Sequence, residues 1–454
     1  MVPWLMTHKY KENNKMQWEK LLSKQRIGKD KTDSIDHDRS DFQRDFDRII
    51  FSSAFRRLQD KTQVFPLSKS DYVRTRLTHS LETSSVGRSL GFMVGGKLIK
   101  KHGLDLMPAE AGTIVATACL AHDIGNPPFG HSGEDVIRDW FQNSEIGMEL
   151  CAKVDKRQRN DFLWFEGNAQ GLRNILALQR PYSKGGMQLT CATLAAFTKY
   201  PYVSEHIQNK KKFGIFASEA DIYAEVADHL GLILLGTNKW GRHPFAYLVE
   251  AADDICYHVV DIEDGHRLNL ISFDELRTIF LDLLDNKEDI IKRVENIPGK
   301  KEQVEYLRAC TINALVTSSC DVFFEHENEI LAAVFKSSLT EEIGKAEEFS
   351  RLKKVAIEKV YNSTEVIETE AAAYEVLWKI LDFLGQIVIE FHVKGELGAK
   401  CQKSIKLLPE LYAPSSDATV YDNTQKIVDY VSGMTDTFAV RTFNRISGIS
   451  LLRR

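Results

Sequence analysis

An all-α fold is predicted by three features of the 454-residue chain. Long stretches at 109–121, 222–236, 246–262, 302–318 and 366–396 carry apolar residues at spacings of three and four, the period of a helix that buries one face. Few segments alternate with period two, as a half-buried strand would. Proline, which breaks helices, occurs only 11 times. With 43% hydrophobic and 27% charged residues, the chain has enough apolar material for one large core or two smaller ones.

From the N-terminus, residues 1–40 are charged and polar, and the run KTDSIDHDRSDF offers helix caps and little core. They are expected to form an arm lying on the body or on a neighbouring subunit. Residues 41–300 hold the chemistry-bearing motifs and form the expected catalytic helical unit, which leaves 301–454 as a C-terminal helical region. Loops are expected at 64–72, 124–133, 181–188, 295–301 and 409–421, where Gly, Pro, Ser or Asp cluster. The Glu- and Lys-rich stretch 323–361 reads as an exposed amphipathic helix whose charges face solvent.

A net charge of -5 excludes the global positive field of a protein that lives on nucleic acid, so any anion site must be local. Cys119, Cys151, Cys191, Cys256, Cys310, Cys320 and Cys401 stand singly without a CxxC pair. They read as reduced core residues of a cytosolic protein. The first residues, MVPWLMTHKYKENNKMQWEK, lack the apolar stretch of a secretory leader, and no run approaches the roughly 18 to 20 apolar residues of a membrane span. A soluble, cytoplasmic protein without a membrane partner is expected.

The segment ATACLAHDIGNPPFGHSGED at 116–135 carries the most chemistry: an apolar helix ends in adjacent His122 and Asp123, then meets Gly125, Pro127 and Pro128. Neighbours on a helix point about 100° apart, so they converge on one ion best at a helix end. An imidazole and a carboxylate suit a borderline or hard divalent cation, which needs two more ligands from elsewhere. The candidates are His79, in VRTRLTHSLETS, and the Asp253–Asp254 pair, which interrupts an otherwise apolar helix. Buried carboxylates there are costly unless paired or metal-bound. His131 and Glu134 follow across the Pro-Pro turn at i, i+3, where the Glu orients the His as a general acid or water-positioning group, or else the two form a helix cap. Arg76, three residues before His79, shares its helix face and can fork onto phosphate oxygens. Arg56 and Arg57 offer the same fork, or ordinary surface salt bridges.

His, His-Asp and Asp in this order resemble the HD superfamily, whose members bind a divalent metal through those residues on separate helices. The closer resemblance is to the deoxyguanosine triphosphate triphosphohydrolases. It rests on RRLQDKTQVFPL (56–67), RTRLTHSLE (74–82), AHDIGNPPFGHSGE (121–134), FEGNAQGLR (165–173), TKYPY (198–202) and EAADDICYHVVD (250–261), in order, over roughly residues 40–265. The resemblance implies an HD-domain helical fold with an additional C-terminal helical region, and the metal ligands His79, His122, Asp123 and Asp253. Asp253 is preferred to Asp254 because the family presents a ligand Asp, a Tyr four residues on and an Asp four further, matched here by Asp253, Tyr257 and Asp261; i, i+4 and i+8 drift only about 80° around a helix, so all three are expected to flank one site, Tyr257 and Asp261 on its substrate side.

The same resemblance assigns His131 and Glu134 to catalysis, and Lys199 and Tyr200 to the triphosphate. Gln63 and Val64 become the floor of a deoxyribose pocket, with Gln63 bonding the 3′-hydroxyl, Val64 crowding C2′ and Tyr257 closing the pocket. Asn168 is placed near a phosphate or the attacking water. Arg441, in DYVSGMTDTFAVRTFNRI (429–446), is on a segment similar to a family C-terminal helix and reaches toward a site in its own or a neighbouring subunit. The implied reaction converts a deoxynucleoside triphosphate, dGTP by the family's name, to the deoxynucleoside and inorganic triphosphate. Manganese, iron or magnesium is the implied cofactor, and a homo-oligomer the implied assembly. Two other readings share these residues: an HD phosphohydrolase acting on nucleoside monophosphates or alarmones, and a nucleotide-sensing or single-stranded nucleic-acid-binding protein. The basic clusters KLIKKH (97–102) and NKKKF (209–213) keep single-stranded nucleic acid in view as an effector.

Overall fold

The computed structural model describes residues 15–29, 39–63, 74–207, 212–394 and 396–449. Helix α1 (Arg76–His102) begins at a reciprocal cap, in which Thr75 and Thr78 each accept the other's backbone amide. Helix α2 (Pro108–Ala121) opens on a proline at its first position, where the missing amide has no intrahelical partner to lose. Next come α3 (Gly130–Asn143), α4 (Gly167–Arg173) and α5 (Pro244–Arg267). The C-terminal region supplies α6 (Thr364–Ile389), α7 (Val420–Ser432) and α8 (Asp436–Ile446). Among the described residues the only sheet is a two-stranded hairpin, Leu234–Gly236 with Lys239–Trp240. The fold is all-α, as expected.

Two apolar cores organise the helices. In the first, α1, α2 and α5 pack on one another and on the helices Asp41–Ile50 and Lys300–Glu325, burying Phe42, Leu90, Leu120, Ile255, Leu307 and Phe323. In the second, α3 packs on α6, which also carries α7 and α8, burying Trp140, Phe141, Phe162, Leu377, Leu384 and Val428. The seam between the cores does not follow the expected boundary at 300, because residues 129–169 join the C-terminal helices while Leu307 and Phe323 join the first core.

Three expectations need correction. Residues 15–29 of the supposed polar arm bury Met16, Trp18, Leu21, Leu22 and Ile27, and the Trp18 indole donates to Glu327. The helix expected over 222–236 stops at Leu230, because Gly231 takes the left-handed φ of 64° that ends a helix and the chain then turns into the hairpin. The charged stretch 323–361 is several short helices, not one solvated face. Glu327 within it is buried and pairs with Trp18, Lys101 and His102, and a π-helical turn over Ile357–Tyr361 directs Tyr361 inward.

Candidate active site

Helix α2 stops at Ala121, so His122 is its C-cap and Asp123 lies in the following turn. This is the placement that lets neighbouring side chains converge. His122 Nδ1 is 2.6 Å from the Cys119 carbonyl, and only a protonated nitrogen can make that bond, so Nε2 is left facing the carboxylates. Nε2 lies 3.5 Å from Asp123 Oδ1 and 3.3 Å from Asp253 Oδ1. From α1, His79 brings its own Nε2 to 3.0 Å from the same Asp253 oxygen. Ligand atoms of His79, His122 and Asp123 all lie within 4.8 Å of one another, and Asp253, from α5, faces both imidazoles.

This donor set fits a divalent cation. Two carboxylates crowd a largely buried cleft, with His79 2% and Asp123 7% exposed, and such a cleft demands positive charge. Burial works against a charged imidazole, yet Asp123 and Asp253 hold His122 up at about 9. Two imidazole nitrogens with carboxylate oxygens are ligands for manganese, iron or zinc, and suit magnesium less well. Asp123 is fixed from behind, Oδ1 accepting from Asn126 Nδ2 at 2.5 Å and Oδ2 from Arg76 Nη1 at 2.7 Å.

The chain passes from Asp123 to His131 through a turn that touches α4 backbone to backbone. A Cβ on Gly125 would come within 2.1 Å of the Gly167 carbonyl oxygen and the Gly171 nitrogen, which accounts for a glycine at 125. Phe129, the N-cap of α3, has φ 62°, and its amide donates to Asp436 Oδ1 at 2.9 Å. His131 follows with its side chain 70% exposed, its Nδ1 3.2 Å from Glu134 Oε2. Glu134 is 2% exposed and also accepts from the Gly167 amide at 2.8 Å and from Arg138 Nη2 at 3.2 Å. The hydrogen bond to Glu134 raises the pKa of His131. Burial pushes the Glu134 carboxyl up, but His131, Lys212 and Arg138 bring it well below the usual carboxylate range.

Both groups open into one cavity of about 490 Å³ on the seam between the cores, lined also by Gln63, Arg76, Asn168, Lys199, Tyr200 and Tyr257. Residues 76–196 match the HD domain family, and residues 339–445 match the family described as Phosphohydrolase-associated domain. A deoxyguanosinetriphosphate triphosphohydrolase-like protein of Synechocystis is 42% identical, covering 96% of this chain and 100% of that protein. One from Pseudomonas aeruginosa is 38% identical over 96% of this chain and 99% of its own length. The deoxyguanosinetriphosphate triphosphohydrolase of Salmonella arizonae is 31% identical over 90% and 94%. The chain belongs to the HD-domain deoxyguanosinetriphosphate triphosphohydrolase family.

Within that family frame, the expected residues fall into three groups. Gln63, Arg76, Asn168, Lys199, Tyr200 and Tyr257 line the cavity with the four candidate ligands and the His131–Glu134 pair. Val64 lies outside the described residues. Asp261 is a correction: it sits one helical turn behind Tyr257, 3% exposed, and accepts the Tyr361 hydroxyl instead of lining the cavity. Asp254 faces away, bonded by Thr340 Oγ1 at 2.7 Å. Arg56, Arg57 and Arg441 do not line the cavity. Arg76, expected to be free for phosphate, is paired with Asp123, and its Nε has no partner among the described residues. Lys199 pairs with Glu250 at 3.3 Å, and that carboxylate together with Tyr200 raises its pKa despite burial.

Other lining residues carried no sequence signal. Glu166 and Lys212, 2.9 Å apart, join Glu134 and Arg138 in one charged network. Tyr361 stacks on Tyr257 with centroids 5.5 Å apart, and Glu370 of α6 accepts Ser132 Oγ at 2.9 Å. Of the two basic clusters, Lys97 meets Asp321, Lys101 and His102 meet Glu327, and Lys212 turns into the cavity, while Lys210 and Lys211 lie outside the described residues. No helix among the described residues is long and apolar enough to cross a membrane.

Proposed function

We propose that the chain hydrolyses deoxynucleoside triphosphates to the deoxynucleoside and inorganic triphosphate, with dGTP the first substrate to test, using a divalent cation held by His79, His122, Asp123 and Asp253. The observation that carries this reading is that the four-residue ligand cluster and the His131–Glu134 pair open into one cavity that also holds Lys199 and Lys212. A bound cation supplies Lewis-acid charge at a phosphate oxygen and acidifies water.

The chain's own residues do the rest. Arg76, Lys199 and Lys212 give a positive field for a triphosphate in a cleft that otherwise holds several carboxylates. Glu134 accepts the Nδ1 proton of His131, so Nε2 is free to act on the reacting groups. As water adds at the α-phosphorus and the bond to the 5′-oxygen breaks, His131 Nε2 donates a proton to that leaving oxygen, and the proton shed by the new P–OH group passes to solvent, from which His131 is reprotonated. Gln63 Oε1 is buried and has no hydrogen-bond partner among the described residues, which suits acceptance of a sugar 3′-hydroxyl.

The test is incubation with each of the four deoxynucleoside triphosphates and manganese, iron(II) or magnesium, with phosphorus detection of the products in water enriched in heavy oxygen. Inorganic triphosphate carrying the label is the expected product. Pyrophosphate or orthophosphate would overturn the assignment in favour of another HD phosphohydrolase chemistry, and label in the nucleoside would place the attack at carbon.

A further inference from the structure

The turn that joins the candidate ligand Asp123 to His131 has bonds of its own, from the Asn126 amide to the Asp123 carbonyl at 3.1 Å and from the Gly130 amide to the Pro127 carbonyl at 3.2 Å. It is tied besides by the far end of the chain. Asp436, the first residue of α8, is 1% exposed. Its Oδ1 accepts the Phe129 amide at 2.9 Å, and its Oδ2 accepts the Thr62 amide at 2.9 Å and the Thr62 hydroxyl. Phe129 occupies the left-handed region at φ 62°, where a bulky residue is strained and stays only if its surroundings fix it. Thr62, on the other arm of the clamp, precedes Gln63, and both line the cavity.

A second tie runs parallel to the first. Lys61, 3% exposed, donates from Nζ to the Asn126 carbonyl at 2.5 Å and to the Ser432 carbonyl at 2.7 Å. Asn126 in turn holds Asp123. The segment from Asn126 to Phe129 is therefore gripped at one end by Lys61, which also holds the end of α7, and at the other by Asp436 at the start of α8.

We infer that Asp436 is a positioning residue for His131, setting the acid against the metal-ligand cluster by fixing Phe129 in its left-handed conformation. This rests on the proposed role of His131. A carboxylate is required because both of its oxygens accept hydrogen bonds. An amide at this position keeps the acceptor for Phe129 or the one for Thr62, and turns a donor toward the other amide. Losing the grip frees the turn, and a displacement of His131 by a fraction of an ångström lowers turnover while leaving the metal ligands in place.

Asp436→Asn should lower kcat by roughly 10- to 100-fold, the range for groups that orient a reacting residue, with metal content unchanged and KM moved much less. In a His131→Ala background the same change should lower kcat no further, because it acts through His131. Thr437→Ala, which removes a solvent-facing bond to Asp60 at the same helix end, is the control and should keep wild-type kcat. Wild-type kcat in Asp436→Asn, or an equal loss in both backgrounds, would overturn the inference. Should Asp436→Asn not fold, Lys61→Met tests the parallel tie by the same measurements. If His131→Ala alone keeps full turnover, the failure lies in the assignment of the acid and not in the clamp.

Discussion

His79, His122, Asp123 and Asp253 stand on or at the end of three long helices locked together by apolar packing, whereas His131 and Glu134 stand on a helix start held by charges. The metal wall is backed by Leu90, Leu120 and Ile255 of the first core. Apart from Asn126 and Arg76, few polar groups brace it. The acid wall depends on Glu134, Arg138, Glu166 and Lys212 bonding one another across residues distant in sequence, and on Asp436 from the C-terminus. Apolar packing fixes ligand geometry all at once, since a core tolerates little local slack. A charged network can lose one member and keep part of its order, so the two walls should fail differently.

The largest effect belongs to the metal wall. His122→Ala or Asp253→Ala should abolish metal binding and activity together, beyond the roughly 10- to 100-fold that losing an outer-shell partner costs. Asp254→Ala should retain metal, because that side chain faces Thr340 on the far side of α5. Metal analysis of the purified variants settles it; a metal-free Asp254→Ala beside a loaded Asp253→Ala would reverse the fourth-ligand assignment.

On the acid wall, His131→Ala should leave metal content near normal and lower kcat by roughly 100-fold. The pH profile sharpens the contrast. The Glu134 hydrogen bond raises the His131 pKa, so its protonated form persists to higher pH and turnover should fall as pH rises through that value. Glu134→Gln keeps an oxygen for the Gly167 amide but removes the charge, so the alkaline limb should move to lower pH. A limb that stays in place would mean that Glu134 does not tune His131.

The same difference explains what could be read in advance. Helical period and an abrupt helix end at His122–Asp123 are local patterns, and they marked α2, α5 and the meeting of His122 with Asp123 before any contact was known, whereas His79 entered as a candidate by residue type and the full ligand set by the family resemblance. The choice between Asp253 and Asp254 needed the family pattern, since both interrupt the same apolar helix. Tyr361 and Glu370 escaped because no spacing within residues 301–454 shows that α6 will cross a cavity built by residues 63–257. Lys212 sat in a basic run that resembles any solvated charge cluster. Asp261 was misplaced for the opposite reason: helical spacing put it on the face of Tyr257, but the Tyr361 hydroxyl occupies it.

The smallest predicted effect lies where the two walls meet, at the sugar. Tyr257 comes from the metal wall, with its ring edge-on to His79 at 6.2 Å, while Tyr361 stacks on its other side from the C-terminal region. With Gln63 they line the cavity, where Gln63 Oε1 is a buried acceptor without a partner among the described residues. With the sugar seated there as proposed, a 3′-hydroxyl meets that need, whereas a 2′-hydroxyl against the stacked tyrosines lacks room and a partner. Such a mismatch costs about 1–2 kcal/mol, or roughly 5- to 30-fold in kcat/KM. Ribonucleoside triphosphates should therefore be poor substrates, and 3′-deoxy analogues should lose rate as well. Tyr257→Ala should narrow the gap between deoxy and ribo substrates as well as slowing the reaction, because room opens beside C2′. If Tyr257 were only core filling, its loss would lower stability and leave the ratio untouched. Matched kcat/KM values for deoxy and ribo triphosphates in wild type and Tyr257→Ala separate the two, and equal wild-type values would remove the sugar pocket from this seam.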